Sequence, residues 1–172
     1  RLAADARFRD LFNSMQEGFF LAELIFDEAG EPVDWSFVDV NPAYSRIMGL
    51  SREQVIGRTV RELFPGLEDF WFKAHVGAAL SGQHASLEGY VAATGRYYEN
   101  HYYSPRPGQF ACLFSDITER KRAEEQLRML STAVEQSPGS IVLTDLDARI
   151  LYVNKAFEEA SGYTLDEVRG EN

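Results

Sequence analysis

Cysteine occurs once in the 172 residues, at Cys112. One thiol forms no internal disulfide and no thiolate metal site, and it suits a reducing compartment, so a cytoplasmic location is expected. Positive charge is also scarce: 17 Lys and Arg stand against 27 Asp and Glu, a net charge of −10. No basic patch is available to neutralise phosphates, which argues against nucleic acid and against an anionic membrane surface as partners. The densest basic run, Arg120-Lys121-Arg122, is followed at once by Glu124 and Glu125 and reads as a solvated helix face. No apolar run approaches the ~20 residues of a membrane span. The first residues, Arg1-Leu2-Ala3-Ala4-Asp5, contain neither a signal-peptide core nor an initiator Met, so the chain reads as a segment of a longer protein. His75, His84 and His101 lack metal-ligand spacing, and no metal site is expected. P-loop, G-x-S-x-G, H-E-x-x-H and kinase-type motifs are missing, so the segment is expected not to be an enzyme.

What the sequence does contain is a repeat. Residues 40–57, VNPAYSRIMGLSREQVIG, are matched by residues 153–170, VNKAFEEASGYTLDEVRG, at a constant offset of 113. That spacing suits tandem domains rather than a solenoid. Upstream, Phe19-Phe20-Leu21 matches Ile141-Val142-Leu143 at an offset of 122, so the first copy carries nine extra residues, expected as a loop insertion around Gly30-Glu31-Pro32.

Phe8, Leu11, Phe12 and Met15 fall on one face of an amphipathic helix that Gly18 is expected to end. Strands are expected at 19–26 and 33–40, the second with Trp35, Phe37 and Asp39 on one face and Ser36, Val38 and Val40 on the other. Asn41-Pro42 opens a helix whose buried face is Tyr44, Ile47 and Met48 and whose stop is Gly49. Ser51 and Gln54 form a capping box for a short helix closed by Gly57, and Leu63-Phe64-Pro65 forms a turn. A longer helix is expected over 68–81, with Phe70, Ala74, Gly77 and Leu80 among its apolar positions. Three strands follow, at 85–93, 96–104 and 109–115, joined by turns at Thr94-Gly95 and 105–108. This order predicts an α+β fold, an antiparallel sheet of five strands with short helices on one face.

These residues resemble a known family. VNPAYSRIMGLSREQVIGR followed by VRELFP is similar to the core helices of a PAS domain, and FACLFSDITERKRAEEQLR to its last strand and exit helix. SPGSIVLTDLDARILYVNKAFEEASGYTLDEVRGEN resembles the opening half of a second PAS domain. The resemblance implies a sensory input module of a sensor histidine kinase, a cyclic-di-GMP enzyme or a related regulator. It divides the chain into an N-terminal helix (1–16), a first PAS domain (17–118), a signalling linker helix (119–137) and part of a second PAS domain (138–172). The second copy has no counterpart of the three strands at 85–115, so the parent chain is expected to continue past Asn172 to those strands and an output domain.

Space between sheet and helices is where a small ligand could sit. Its candidate lining is Phe37, Ile47, Met48, Phe70, Tyr98, Asn100, Tyr102, Phe110, Cys112 and Phe114; plain core filling is the other reading of the same residues. Asp116, Ile117 and Thr118, with Arg120 a turn away, resemble the family's exit signature and read as a signal relay, or as an ordinary helix cap at Glu119. Ala123, Leu127, Leu130 and Val134 have a/d spacing, which fits a parallel homodimer seam or a helix packed on its own domain. Relative to haem-binding PAS domains, the position about eleven before Gly82 is Trp71, not His, so His75 reads as a surface or partly buried residue. Cys112 stands on a strand rather than in the N-C-R-F-L-Q helix of flavin-binding relatives and reads as inert core. No cofactor is therefore required, and haem and flavin are disfavoured. Three roles stand: a module sensing a small ligand or partner, a ligand-free dimerisation module, and a haem- or flavin-bearing sensor.

Overall fold

The computed structural model describes residues 2–171, without the side chains of residues 2–6 and Phe8. Phe8, placed above on the apolar face of the first helix, therefore lies outside the described side chains. The chain divides into two compact units, Arg1–Glu119 and Arg120–Asn172.

The first unit opens with α1 (Leu2–Ser14), which ends before Gly18 rather than at it. Gly18 instead starts β1 (Gly18–Phe26), where a Cβ would overlap the ring of Phe114 on the neighbouring strand. Glycine is required there for close approach, not for a helix stop. β1 turns through 27–31 into β2 (Pro32–Val40), and α2 (Pro42–Met48), α3 (Arg52–Val55), α4 (Val60–Leu63) and α5 (Asp69–Ser81) follow. β3 (Ala85–Val91), β4 (Arg96–Tyr103) and β5 (Gln109–Asp116) complete one antiparallel sheet in the order β2-β1-β5-β4-β3. The expected α+β architecture is the one observed. α4 is an addition to it: Thr59 and Glu62 form a capping box where only a turn at Leu63-Phe64-Pro65 was anticipated.

Two faces differ from the expected alternation. In β2 the register passes from Leu21↔Asp39 to Ala22↔Phe37, so Val38 is bulged out. The bulge reverses the strand's faces beyond it. Val40 is buried with Trp35 and Phe37, while Asp39 turns outward to Arg52 at 3.0 Å. In α5 the buried residues are Trp71, His75, Val76, Ala78 and Ala79, whereas Phe70 is 45% and Leu80 58% exposed. The helix is apolar nearly all round, so its periodicity selects no face.

The core lies between the helices and the inner sheet face, around Phe20, Trp35, Phe37, Tyr44, Phe110 and Phe114. Edge-to-face pairs such as Phe20–Phe110 (5.8 Å between centroids) and Tyr44–Phe114 (5.7 Å) fill it. The outer edge of β2 is covered in part by the 57–59 segment, through Phe37 N–H to Arg58 O (3.0 Å) and Gly57 N–H to Phe37 O (2.9 Å).

The second unit takes up α6 (Thr118–Glu135) beyond Glu119, then β6 (Val142–Thr144), β7 (Ile150–Val153), α7 (Lys155–Ser161) and α8 (Leu165–Val168). Its hairpin turn repeats that of the first unit. Asp27 Oδ1 accepts from Ala29 and Glu31 N–H, and Asp145 Oδ1 accepts from Asp147 and Arg149 N–H, all at 2.9 Å. Gly30 (φ 83°) and Ala148 (φ 64°) occupy the same left-handed position. The turns being alike, the extra residues of the first copy do not form a loop. They lengthen its two strands between Phe19 and Asp27 and between Asp27 and Asn41, compared with Ile141–Asp145 and Asp145–Asn154 in the second copy.

Candidate functional site

A cavity of about 70 Å³ lies inside the first unit. Of the residues expected to line it, Phe37, Met48, Tyr98, Asn100 and Phe114 do so. Tyr102, Phe110 and Cys112 are buried beside it in the core, and Ile47 packs against the core half-buried. Phe70 is not part of the site. It sits at the outer side of α5, its ring over Gly89 of the edge strand β3. The sequence reading missed Trp35, Tyr44, Trp71 and His75, and also Phe20, Val60, Phe64, Leu67 and Val91. The signal available for Tyr44 was its place on the buried face of α2, and for Trp35 its place beside Phe37 in β2. Nothing local distinguished Trp71 and His75 from Phe70 and Leu80.

His75, expected at or near the surface, is buried to 5% exposure. Its ring stacks on Trp35 (4.8 Å) and Phe20 (5.8 Å) and meets Tyr102 edge-on (4.7 Å). Burial pushes its pKa down to about 4, against the opposing effect of its Nδ1 contact with the Trp71 carbonyl at 2.6 Å. The imidazole is therefore neutral at neutral pH, with Nδ1–H donating to Trp71 O. Burial likewise raises the Tyr44, Tyr98 and Tyr102 phenols and, well above its usual value, the Cys112 thiol. No Asp, Glu, Lys or Arg lines the cavity.

The polar atoms here are not all satisfied. Asn100 Nδ2 donates to the Tyr102 hydroxyl at 3.2 Å, but its Oδ1 has no protein partner. Trp35 Nε1 and the Tyr44 hydroxyl are also buried without one. The Tyr98 hydroxyl is buried too, and Thr94 is the side chain that interacts with it. Trp71 differs: its Nε1 donates to Tyr90 O at 3.1 Å.

The same strand meets the exit helix. β4 sends Tyr98 and Asn100 inward, while its neighbouring backbone N–H at Tyr97 donates to Thr118 Oγ1 at 3.0 Å. Asp116 Oδ1 accepts from Thr118 N–H (2.9 Å), and Asp116 Oδ2 accepts from Arg96 (2.8 Å). Burial alone would raise the Asp116 carboxyl; the Thr118 and Arg96 interactions outweigh it and hold it below the usual range. The helix thus starts at Thr118, not Glu119, and the threonine hydroxyl binds the sheet instead of capping the helix. Arg96 was the partner that sequence spacing did not suggest; Arg120, on the helix, reaches Glu124 at 4.0 Å. Of the seam positions, Ala123, Leu127 and Leu130 are exposed, the last two at 68% and 63%, and Val134 is half-buried. Among the described residues no group of three or more His, Cys, Asp or Glu could hold a metal ion, and no helix is long and apolar enough to cross a membrane.

Comparison with known proteins agrees with this architecture. The chain is 25% identical over 152 residues to the oxygen sensor protein DosP of Escherichia coli (strain K12), covering 76% of this chain and 18% of that protein. It therefore spans about a fifth of the length of the curated relative it matches. A domain of the sensory box sensor histidine kinase/response regulator from Geobacter sulfurreducens superposes with a TM-score of 0.50 at 18% identity, covering 67% of this chain and 97% of that one. A PAS domain of an HTR-like protein from Haloarcula marismortui gives 0.45 at 19% identity, covering 68% and 100%. Two family profiles described as PAS fold match residues 33–122 and 128–172, one over each copy of the repeat. With the first of them spanning more than half of the sequence and the five-stranded sheet in place, the chain belongs to the PAS family.

Proposed function

We propose that this chain is a sensory signal-transduction module that senses a small ligand or a partner and relays the change through α6 to a downstream output domain. The observation that carries this is the double use of β4. Tyr98 and Asn100 border the cavity, and Arg96 and Tyr97 hold Asp116 and Thr118 at the root of the exit helix. A shift of the strand on the cavity side is thereby imposed on the first turn of the helix, a bistable arrangement of the kind that amplifies small displacements. The relay set is Asp116, Ile117 and Thr118 with Arg120, in a first domain spanning 17–118. The linker helix 119–137 pairs two copies in parallel through Ala123, Leu127, Leu130 and Val134. The second copy follows at 138–172. The segment itself is non-catalytic, and its setting is the cytoplasm, in keeping with a lone buried free thiol.

A ligand-free dimerisation module is the second reading, and the small cavity favours it. A volume of about 70 Å³ is well below the ~300 Å³ at which ordinary ligand pockets begin. The same volume, with His75 enclosed by rings, does not fit a haem or flavin.

One cysteine reporter tests the relay. In a Cys112→Ala background, Leu130→Cys forms an intermolecular disulfide at a rate set by the seam. Asn100→Leu, which alters only the cavity side of β4, should change that rate several-fold, and Thr118→Val should abolish the response. A rate indifferent to Asn100→Leu overturns the relay. Leu127→Asp with Leu130→Asp should give monomers by light scattering; a wild-type chain that is already monomeric at high concentration overturns the pairing.

A further inference from the structure

The wall that the cavity presents to an occupant is apolar. Twelve of its fourteen lining residues are apolar or aromatic, and none of the fourteen is Asp, Glu, Lys or Arg. The polar atoms that these residues carry are covered or engaged elsewhere. Trp35 Nε1, Asn100 Oδ1 and the Tyr44 and Tyr98 hydroxyls have almost no accessible surface. Asn100 Nδ2 donates to the Tyr102 hydroxyl, Trp71 Nε1 donates to Tyr90 O, and His75 Nδ1 meets Trp71 O. What remains for a guest to touch is chiefly ring, methyl and methylene surface.

The cavity is also not a sealed packing void, because it opens to solvent. Eleven of its lining residues are buried, and the three that keep some exposure, Met48, Phe64 and Leu67, mark the opening. Met48 ends α2, and Phe64 and Leu67 stand in the turn between α4 and α5, closed by Leu67 N–H to Phe64 O at 3.0 Å. The rim is therefore apolar like the wall. Water against such a surface finds few groups to bond, and an apolar guest that displaces it removes apolar area from water on both sides. An ion would give up its hydration for a wall without counter-charge, which is heavily penalised. Apolar cavities in proteins do take up guests such as benzene and xenon, and an open end lets a guest project past the rim.

We propose that the cavity takes an uncharged apolar molecule, hydrocarbon-like or aromatic, admitted past Met48, Phe64 and Leu67. This rests on the reading of the cavity as a sensory site and names the chemical class that it senses.

Three guests that share a ring and differ in charge test it: benzene, benzoate and benzylammonium, each added to the whole chain at millimolar concentration. Methyl NMR locates the guest, since a benzene ring shifts the methyl signals nearest to it. Those of Met48, Val60, Leu67 and Val91, which line the cavity, should move saturably with benzene, while those of the exposed Leu127, Leu130 and Leu146 should not. Benzoate and benzylammonium should bind more weakly by about tenfold or more, the cost of burying an unpaired charge. Xenon under pressure, an apolar guest without a ring, should move the same four methyls. Leu67→Glu, at a half-buried rim position, should weaken benzene severalfold with the melting temperature little changed; an unchanged affinity overturns entry past Leu67. Either ion binding as well as benzene overturns the apolar class and leaves ligand sensing standing. Benzene and xenon both without a saturable effect at the four methyls overturn the proposal. The relay is then still decided by the disulfide rate of the Leu130→Cys reporter, which needs no guest.

Discussion

His75 is the residue whose surroundings decide most. It is a titratable ring enclosed by Phe20, Trp35, Tyr102 and Phe110, none of which carries charge at neutral pH. Its pKa falls from the usual 6.5 to about 4 because burial disfavours the imidazolium. The depressed value belongs to the folded state. Between about pH 6.5 and pH 4 the unfolded chain takes up a proton that the native chain refuses, so stability falls as pH falls through that window. Above pH 6.5 the contribution is fully present. The loss should be on the order of 3 kcal/mol across the window. Urea titrations at pH 7 and pH 4.5 check it: wild type should lose most of this difference, and His75→Phe, which keeps a ring against Trp35, should lose markedly less. Equal pH slopes in the two proteins would remove His75 as the cause.

At the scale of elements, the two copies are held by the same device. Asn41, at 1% exposure, accepts from Phe19 N–H (2.9 Å) and Tyr44 N–H (2.8 Å) on Oδ1 and donates from Nδ2 to Glu17 O (2.9 Å). Asn154 repeats this with Ile141 N–H (2.8 Å), Phe157 N–H (3.1 Å) and Gly139 O (2.9 Å). One side chain thus caps a helix and fastens the strand that precedes the hairpin. Asn41→Ala should cost about 3 kcal/mol, because it leaves one buried and one part-buried donor unpaired as well as losing a cap; chemical denaturation with unchanged m-value is the measurement. Asn41→Asp, which keeps Oδ1, should cost less. The cap itself was legible in the Asn41-Pro42 pair, as were the stop at Gly49 and the box at Ser51 and Gln54, because each is a short-range pattern. The tie back to Phe19 was not, since it joins residues 22 apart. The bulge at Val38 was illegible for the same reason: alternation within β2 carries no record of how β1 pairs with it. The cavity was half legible. The inward set Tyr98, Asn100 and Tyr102 follows from period two in a strand, whereas the choice of Trp71 and His75 over Phe70 and Leu80 depends on which side of an all-round apolar helix meets the sheet.

For the whole molecule, the two units differ in how much they bury. The first encloses a core of nineteen apolar residues, from Phe20 to Phe114. Beyond residue 119, Val153 is the single apolar side chain that is buried among the described residues, with Asn154 beside it. Val142, Leu143, Leu151 and Tyr163 are 43–59% exposed, and Leu146 wholly so. Local devices there are complete: the Asp145 turn, the Asn154 tie, the left-handed Gly162 and the Thr164–Glu167 capping box are all formed. Hydrogen bonds of this kind give about 1 kcal/mol each net of water, which does not meet the entropy of ordering some 35 residues without apolar burial. The second unit should therefore open locally while the first stays folded. Hydrogen exchange decides it within one sample. Amides of β6 and β7 should exchange orders of magnitude faster than those of β5, and their rates should follow local opening rather than global unfolding. Protection of residues 140–157 equal to that of Gln109–Asp116 would show that hydrogen-bonded turns and caps suffice to hold the second copy, and the burial argument would fail.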